Sequence, residues 1–276
     1  MKITIEDDFD LYKITYSGQC FRAQQLSDDT FRFITREHSV EIADETLRSG
    51  KKKRDSATEL DVSCNAKEWE EIWHPYFDLD TSYAAIRKRI PKDDRYLSKA
   101  ADAGAGIRIL NQDRFEMLIS FIISQRKSIP AIKSSVEKLV GLYGKNGFFP
   151  KPEDMTKATE EELSSCGIGY RVPYIISAVR TVASGQIDLD ALDELSDDEL
   201  FEKLKTFSGV GDKVANCVAL FAYHRTGRAP VDTWIAKVIE EEYGGINPFP
   251  AYGNVAGIMQ QYIFYYAQNV TRKKSQ

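Results

Sequence analysis

Cysteine and histidine are scarce in this chain. The four cysteines, Cys20, Cys64, Cys166 and Cys217, are scattered and form no CxxC pair. Such spacing signals neither a zinc site nor an iron–sulfur cluster, and free thiols in a reducing compartment are expected. The three histidines, His38, His74 and His224, form no ligand pattern either. No apolar run approaches the ~20 residues that a membrane span needs. The opening stretch "MKITIEDDFD" turns acidic early and lacks an apolar segment, which argues against a signal peptide and predicts an intracellular protein. An excess of basic charge is also missing: 37 Lys and Arg face 42 Asp and Glu, for a net charge of −5. That balance speaks against nonspecific coating of nucleic acid, but not against gripping a short site with helix N-termini and a few cations. Local basic clusters stand at 51–54 ("KKKR"), 87–89 ("RKR"), 125–127 ("QRK") and 272–274 ("RKK"), and each equally fits a solvated face.

What is present suits a globular protein with a true core: 276 residues, 42% of them hydrophobic and 29% charged, room for two domains. Residues 1–77 read as strands. "LYKITYSGQCFRAQQL" is rich in β-branched and aromatic residues with a break at Ser17-Gly18, and "FRFITREHSVEIA" (31–43) has near-alternate apolar positions after the turn signal "SDD". "SGKKKRDSATELDV" reads as a charged loop followed by another strand. From Thr81 onward the pattern becomes helices joined by short Gly, Pro and Asp loops. The fold class expected is α+β, with an antiparallel β domain at 1–77 and a helical domain at 78–276. Within the latter, "DRFEMLISFIISQRK" (113–127) is apolar on most faces and predicts a buried central helix.

The densest stretch is "KTFSGVGDKVANCVALFAYHRTGRAPVDTW" (205–234). Ser196 and Glu199 form a capping box for one helix, and Asp212 is a candidate cap for the next, with "SGVG" between them. Gly209 and Gly211 can take positive φ and let another backbone come close. Such a turn aims backbone N–H groups at a phosphate without any net positive charge. On its own, Gly-x-Gly fits an ordinary helical hairpin as well. Lys213 is harder to place. It sits just inside a helix N-terminus, where the helix dipole disfavours an ammonium by ~0.3–1 kcal/mol. A lysine so placed suits nucleophilic attack through a Schiff base, or is a surface lysine reaching solvent. Cys217 lies one turn further along the same face. Asp232, in "PVDTW", fits an N-cap of the following helix, and also a carboxylate kept ionised to stabilise a cationic sugar transition state.

These residues resemble a known family. "LKTFSGVGDKVANC…PVDTW" resembles the helix–hairpin–helix DNA glycosylases with their catalytic aspartate, and the chain as a whole is similar to the 8-oxoguanine DNA glycosylase/AP lyases. The segments "YSGQCFR" (16–22), "YFDLD" (76–80), "GIRILNQDRFEMLISFIIS" (106–124), "GIGYR" (167–171), "GVGDKVANC" (209–217), "PVD" (230–232) and "AGIMQQYIF" (256–264) follow in family order. The resemblance implies an N-terminal TBP-like half and a two-lobed all-α glycosylase domain with its hairpin at 196–224. It implies that Lys213 attacks C1′ of the damaged nucleotide and that Asp232 stabilises the oxocarbenium-like state. Phe264 and Cys217 would sandwich the flipped base, Gln260 would bond its Watson–Crick edge, and the Gly18 carbonyl would accept from N7–H. Normal guanine offers a lone pair at N7 where the 8-oxo form offers a hydrogen, so that carbonyl discriminates between them. Tyr170 would wedge into the duplex, with Arg171, Arg126, Gly209 and Gly211 on the DNA. The resemblance implies no cofactor, no catalytic metal and no membrane. It implies a monomer acting on double-stranded DNA with 8-oxoguanine. A short N-terminus without tails leads us to expect a prokaryotic-type cytoplasm, at the nucleoid, with "KKKR" leaving a nuclear protein open. The alternative of another class is a noncatalytic hairpin DNA-binding module, which would need neither Lys213 nor Asp232.

The match departs in places. "QRKS", Gln125 to Ser128, replaces an asparagine run of the eukaryotic members. Arg171 matches one of their two cytosine-reading arginines, but Ala131 stands where the other would be. Trp234 replaces a histidine near the catalytic aspartate and could fill the same volume by stacking. A weakened preference for the base opposite the lesion is therefore expected.

Overall fold

The computed structural model of the protein describes residues 1–48 and 57–271. The basic clusters at 51–54 and 272–274, and the charged loop expected before the last strand, lie outside the described residues. By contacts the chain divides into two units: 1–33 with 40–111 and 224–276, and 34–39 with 112–223.

The first unit is built on an antiparallel sheet. Its strands are β1 (Lys2–Ile5), β2 (Gln24–Gln25), β3 (Thr30–Thr35), β4 (His38–Asp44) and β5 (Thr58–Val62), in the order β1-β5-β4-β3-β2 among the described residues. Register places Ile3 opposite Leu60 and Ile42 opposite Val62. Alternation buries Phe31 and Phe33 on β3, Val40 and Ile42 on β4, and Leu60 and Val62 on β5. This face joins Phe9, Leu11, Ile14, Trp69, Trp73, Tyr76 and Phe77 in one core. Phe33 and Phe77 meet edge to face at 5.0 Å.

The stretch 31–43 forms a hairpin, with Arg36 at φ 50° turning the chain between β3 and β4. Two expectations for this region fail. Leu11–Tyr16 is a helix rather than a strand. Asp10 caps it by accepting from the Lys13 N–H at 3.0 Å, and Leu11, Ile14 and Thr15 form its buried stripe at helical spacing. Helix also begins earlier than Thr81. Asn65 accepts from the Glu68 N–H at 2.9 Å, and helical turns run from Ala66 to Tyr76.

Arg108 is fully buried at the centre of this unit. Its guanidinium donates to the carbonyls of Phe77 (2.9 Å), Asp8 (2.8 Å), Thr81 (2.6 Å) and Asp78, pairs with Asp7 at 3.4 Å, and lies 4.3 Å from the Tyr83 ring centroid. Those partners offset the cost of burying a charge. The segment around Arg108 is thereby fixed, and the C-terminal helix Ala256–Tyr266 packs on the helix Arg95–Ala103.

The second unit is helical apart from the β3–β4 turn. Its central helix, Arg114–Ser124, is buried along almost its whole length and is capped by Asp113, which accepts from the Glu116 N–H at 2.8 Å. Around it stand Ile129–Tyr143, Val172–Ala183 and the hairpin pair Asp197–Lys205 and Asp212–Ala222.

Candidate active site

The hairpin forms as its residues dictate. Ser196 and Glu199 make the expected capping box, the Ser196 N–H donating to Glu199 Oε2 at 3.0 Å. The Ser196 hydroxyl and N–H hold the Glu199 carboxyl below its usual range. The two turn glycines differ, against the expectation that treated them alike. Gly209 takes φ 79°, whereas Gly211 sits at φ −98° in ordinary extended backbone. A Cβ on Gly209 would stand 2.3 Å from the Tyr174 ring, so a side chain, not another backbone, makes the close approach. The Gly209 carbonyl accepts from Gln125 Nε2 at 3.0 Å, tying the turn to the end of the central helix. The cap of the second helix is also corrected. Gly211 holds the N-cap position and Asp212 is the first helical residue, its carboxylate 3.0 Å from Lys205 Nζ.

Lys213 follows, half-buried. Its Nζ donates to Ser124 Oγ at 3.3 Å and lies 5.3 Å from the Phe121 ring centroid. The ammonium thus meets a hydroxyl and an aromatic face on the central helix, with no acidic side chain among these contacts. Cys217, one turn on, is 3% exposed. Ser120, one turn before Ser124, is fully buried with its Oγ unpartnered. Ser120 and Ser124 escaped the sequence reasoning, although two serines four apart in the apolar run "LISFIIS" were a signal for one polar stripe.

The Tyr170 loop belongs to the same unit. Tyr170 is 55% exposed, while Arg171 beside it is buried. Arg171 donates to the Ile168 carbonyl at 2.9 Å and to the Gln125 carbonyl, and its guanidinium lies 4.3 Å from the Tyr170 ring centroid. The guanidinium expected on DNA is here bracing the loop. Arg126 is exposed at φ 52°. Lys127 donates to Ser135 Oγ at 2.7 Å and to the Gly167 carbonyl, and burial, then Arg171 and Lys138, lower its pKa.

The remaining expected residues lie in the first unit. Asp232 is the N-cap of the helix Thr233–Tyr243 and accepts from the Ile235 N–H at 2.9 Å. Trp234 is half-buried two residues on. Gly18, at φ 82°, ends the helix Leu11–Tyr16, and the Ser17 carbonyl before it accepts from Gln261 Nε2. The bond brings the C-terminal helix beside the Gly18 turn. Gln260 on that helix is 4% exposed with its Oε1 unpartnered, and Phe264, one turn later, is half-buried. A buried, unpaired side-chain oxygen costs stability unless a ligand satisfies it. Among the described residues, no three His, Cys, Asp or Glu side chains are grouped to hold a metal ion, and no helix is long and apolar enough to cross a membrane.

A glycine hairpin between two helices, a half-buried lysine on the first turn of the second, and an antiparallel sheet ahead of them define a helix–hairpin–helix protein of base-excision type. The chain belongs to the HhH-GPD superfamily of base excision DNA repair proteins, matched over residues 119–262, with the N-terminal domain of 8-oxoguanine DNA glycosylase over residues 2–118. A probable N-glycosylase/DNA lyase of Methanothermobacter thermautotrophicus is 31% identical over 72% of this chain and 73% of its own. MBOgg1, solved with a low-affinity DNA ligand, shares 33% identity, with a TM-score of 0.87 over 100% of this chain and 96% of that one. The Clostridium acetobutylicum 8-oxoguanine glycosylase/lyase, solved with double-stranded DNA containing cytosine opposite 8-oxoG, shares 32% identity, with a TM-score of 0.85 over 100% of this chain and 99% of that one.

Proposed function

We propose that this protein excises 8-oxoguanine from duplex DNA and then cuts the strand, using Lys213 as its nucleophile. The observation that carries the reading is Lys213 itself. It is half-buried against Phe121 and hydrogen-bonded to Ser124, on the first turn of the helix after the hairpin. A lysine that served only solubility would extend into water.

In this reading the hairpin N–H groups grip phosphate and the lesion leaves the stack. The Lys213 amine attacks C1′. The C1′–N9 bond breaks and its electron pair leaves with the base, which takes up a proton. The Asp232 carboxylate stabilises positive charge on the sugar as that bond breaks. The covalent amine opens to a Schiff base, which acidifies the C2′ hydrogen. Loss of that proton expels the 3′ phosphate by β-elimination. Gly18 and Gln260 read the base edges, Gln260 through the acceptor that has no protein partner. Cys217 and Phe264 supply contact to the base faces, and Trp234 supports the Asp232 helix. Tyr170 is the wedge, while Arg126, Gly209 and Gly211 meet the backbone. Arg171 joins the cytosine contact only by giving up its carbonyl partners. The protein acts as a monomer at the nucleoid of a prokaryotic-type cytoplasm, with the β domain at 1–77 and the glycosylase domain at 78–276.

The test is release of free base from a duplex with one 8-oxoguanine, read beside strand cutting. Release followed by cutting is the expected result. Tight binding of the lesion duplex with neither event would reduce the protein to a damage-binding module.

A further inference from the structure

We propose that Gln261 and Gln19 are positioning residues that lock the peptide at Gly18 and so set the choice between 8-oxoguanine and guanine. The inference rests on the reading above, in which the Gly18 carbonyl meets N7 of the flipped base.

Gly18 is the loosest residue type at the point where direction matters most. At φ 82° it adopts a conformation that L side chains rarely take, and glycine leaves the neighbouring peptides free to turn. A flip of the Gly18–Gln19 peptide would replace a carbonyl oxygen with an N–H. That N–H would donate to the N7 lone pair of guanine and oppose the N7–H of the lesion, which inverts the preference. Discrimination therefore requires that the flip be blocked.

The structure blocks it from both sides. Before Gly18, the Ser17 carbonyl accepts from Gln261 Nε2, and Ser17 is fully buried. The Ser17 hydroxyl donates to the Ile14 carbonyl at 2.8 Å and accepts from Gln19 Nε2 at 2.9 Å. After Gly18, the fully buried Gln19 spends both ends of its amide on one stretch of chain. Its Nε2 donates to the Arg108 carbonyl at 2.8 Å, and its Oε1 accepts from the Leu110 N–H at 2.8 Å. Arg108 is itself anchored by the carbonyls of Phe77, Asp8 and Thr81. Both flanks of the glycine are thus held by side-chain amides, which are expensive to bury and leave unpaired. Gln261 is also the neighbour of Gln260, so one turn of the C-terminal helix both presents a free acceptor and fixes the Gly18 turn.

The experiment compares two reactions of the same full-length protein. Single-turnover excision of 8-oxoguanine needs the base to be read, whereas cutting at a preformed abasic site has no base to read. Gln261→Leu and Gln19→Leu are measured beside wild type, with thermal melts for folding. The expected result is an excision rate lowered about tenfold, with abasic cutting within about twofold of wild type. Equal losses in both reactions would reduce the glutamines to structural supports and overturn the proposal, as would unchanged excision in both variants. A wild-type protein that cuts abasic DNA but leaves 8-oxoguanine in place overturns the substrate reading instead, and this inference with it.

Discussion

Gly209→Ala isolates what the hairpin turn demands. Gly209 holds φ 79°, and a left-handed backbone costs a residue with a Cβ about 1–2 kcal/mol. The added carbon would also stand 2.3, 2.6 and 2.9 Å from three atoms of the Tyr174 ring. A ring held on a helix cannot swing away like the end of a lysine, and overpacking of this kind costs about 1–3 kcal/mol. Together these give roughly 3 kcal/mol, and at about 2–4 °C per kcal/mol the melting temperature should fall by roughly 6–12 °C. Gly211→Ala is the control two residues away. Its φ is −98° and nothing lies within 4 Å of a Cβ there. Alanine at that position should keep or raise stability by about 0.4–1 kcal/mol, while its methyl group obstructs a phosphate approaching the helix N-terminus and weakens DNA binding. Circular-dichroism melts and titration with a fluorescent duplex read both properties. Equal melting temperatures for the two variants would refute the reasoning, because the turn would then not distinguish its glycines.

Three further outcomes are expected. Arg171→Ala leaves the carbonyls of Ile168 and Gln125 without their donor and should cost about 1–3 kcal/mol in urea unfolding; wild-type stability would mean that the loop does not depend on this brace. Excision opposite cytosine and opposite adenine should proceed at similar rates if, as the resemblance to the eukaryotic members implies, Ala131 replaces their second cytosine-reading arginine; a preference for cytosine of about a hundredfold would contradict this. Burial of Asp78 acts to raise its pKa, but His224, Thr81 and Tyr83 outweigh burial and lower it below the usual carboxylate value. Stability from a lowered carboxylate is fully present above its unfolded pKa, about 3.9, and is lost as pH falls through the folded one. Acid unfolding below about pH 4 should therefore be steeper in wild type than in Asp78→Asn, and identical pH profiles would remove Asp78 from the account.

Much of the hairpin was legible because its rules are local. Ser196 and Glu199 are three residues apart and cap one another, and Asp232 caps the helix that directly follows it. Cap position was less legible, since Asp212 stands beside a lysine that competes for its carboxylate. The Leu11–Tyr16 helix was hidden by its β-branched and aromatic content, although its buried residues keep helical spacing. Least legible were the polar clusters. Gln261 and Ser17 are separated by 244 positions, and Gln19 and Arg108 by 89. No periodicity announces partners so far apart, and an internal glutamine looks like surface until the fold closes around it. Lys213 stood out for the opposite reason: a cation at a helix N-terminus breaks a local rule, and such breaks make a residue a candidate for function.

The central claim is that Lys213 forms a Schiff base with the damaged nucleotide. Borohydride trapping on a duplex with one 8-oxoguanine opposite cytosine tests it directly, beside an undamaged duplex and the Lys213→Gln protein. The account predicts a covalent adduct only with wild type and only on the damaged duplex. An equal adduct with Lys213→Gln, or none with wild type while the lesion is still bound, would contradict it.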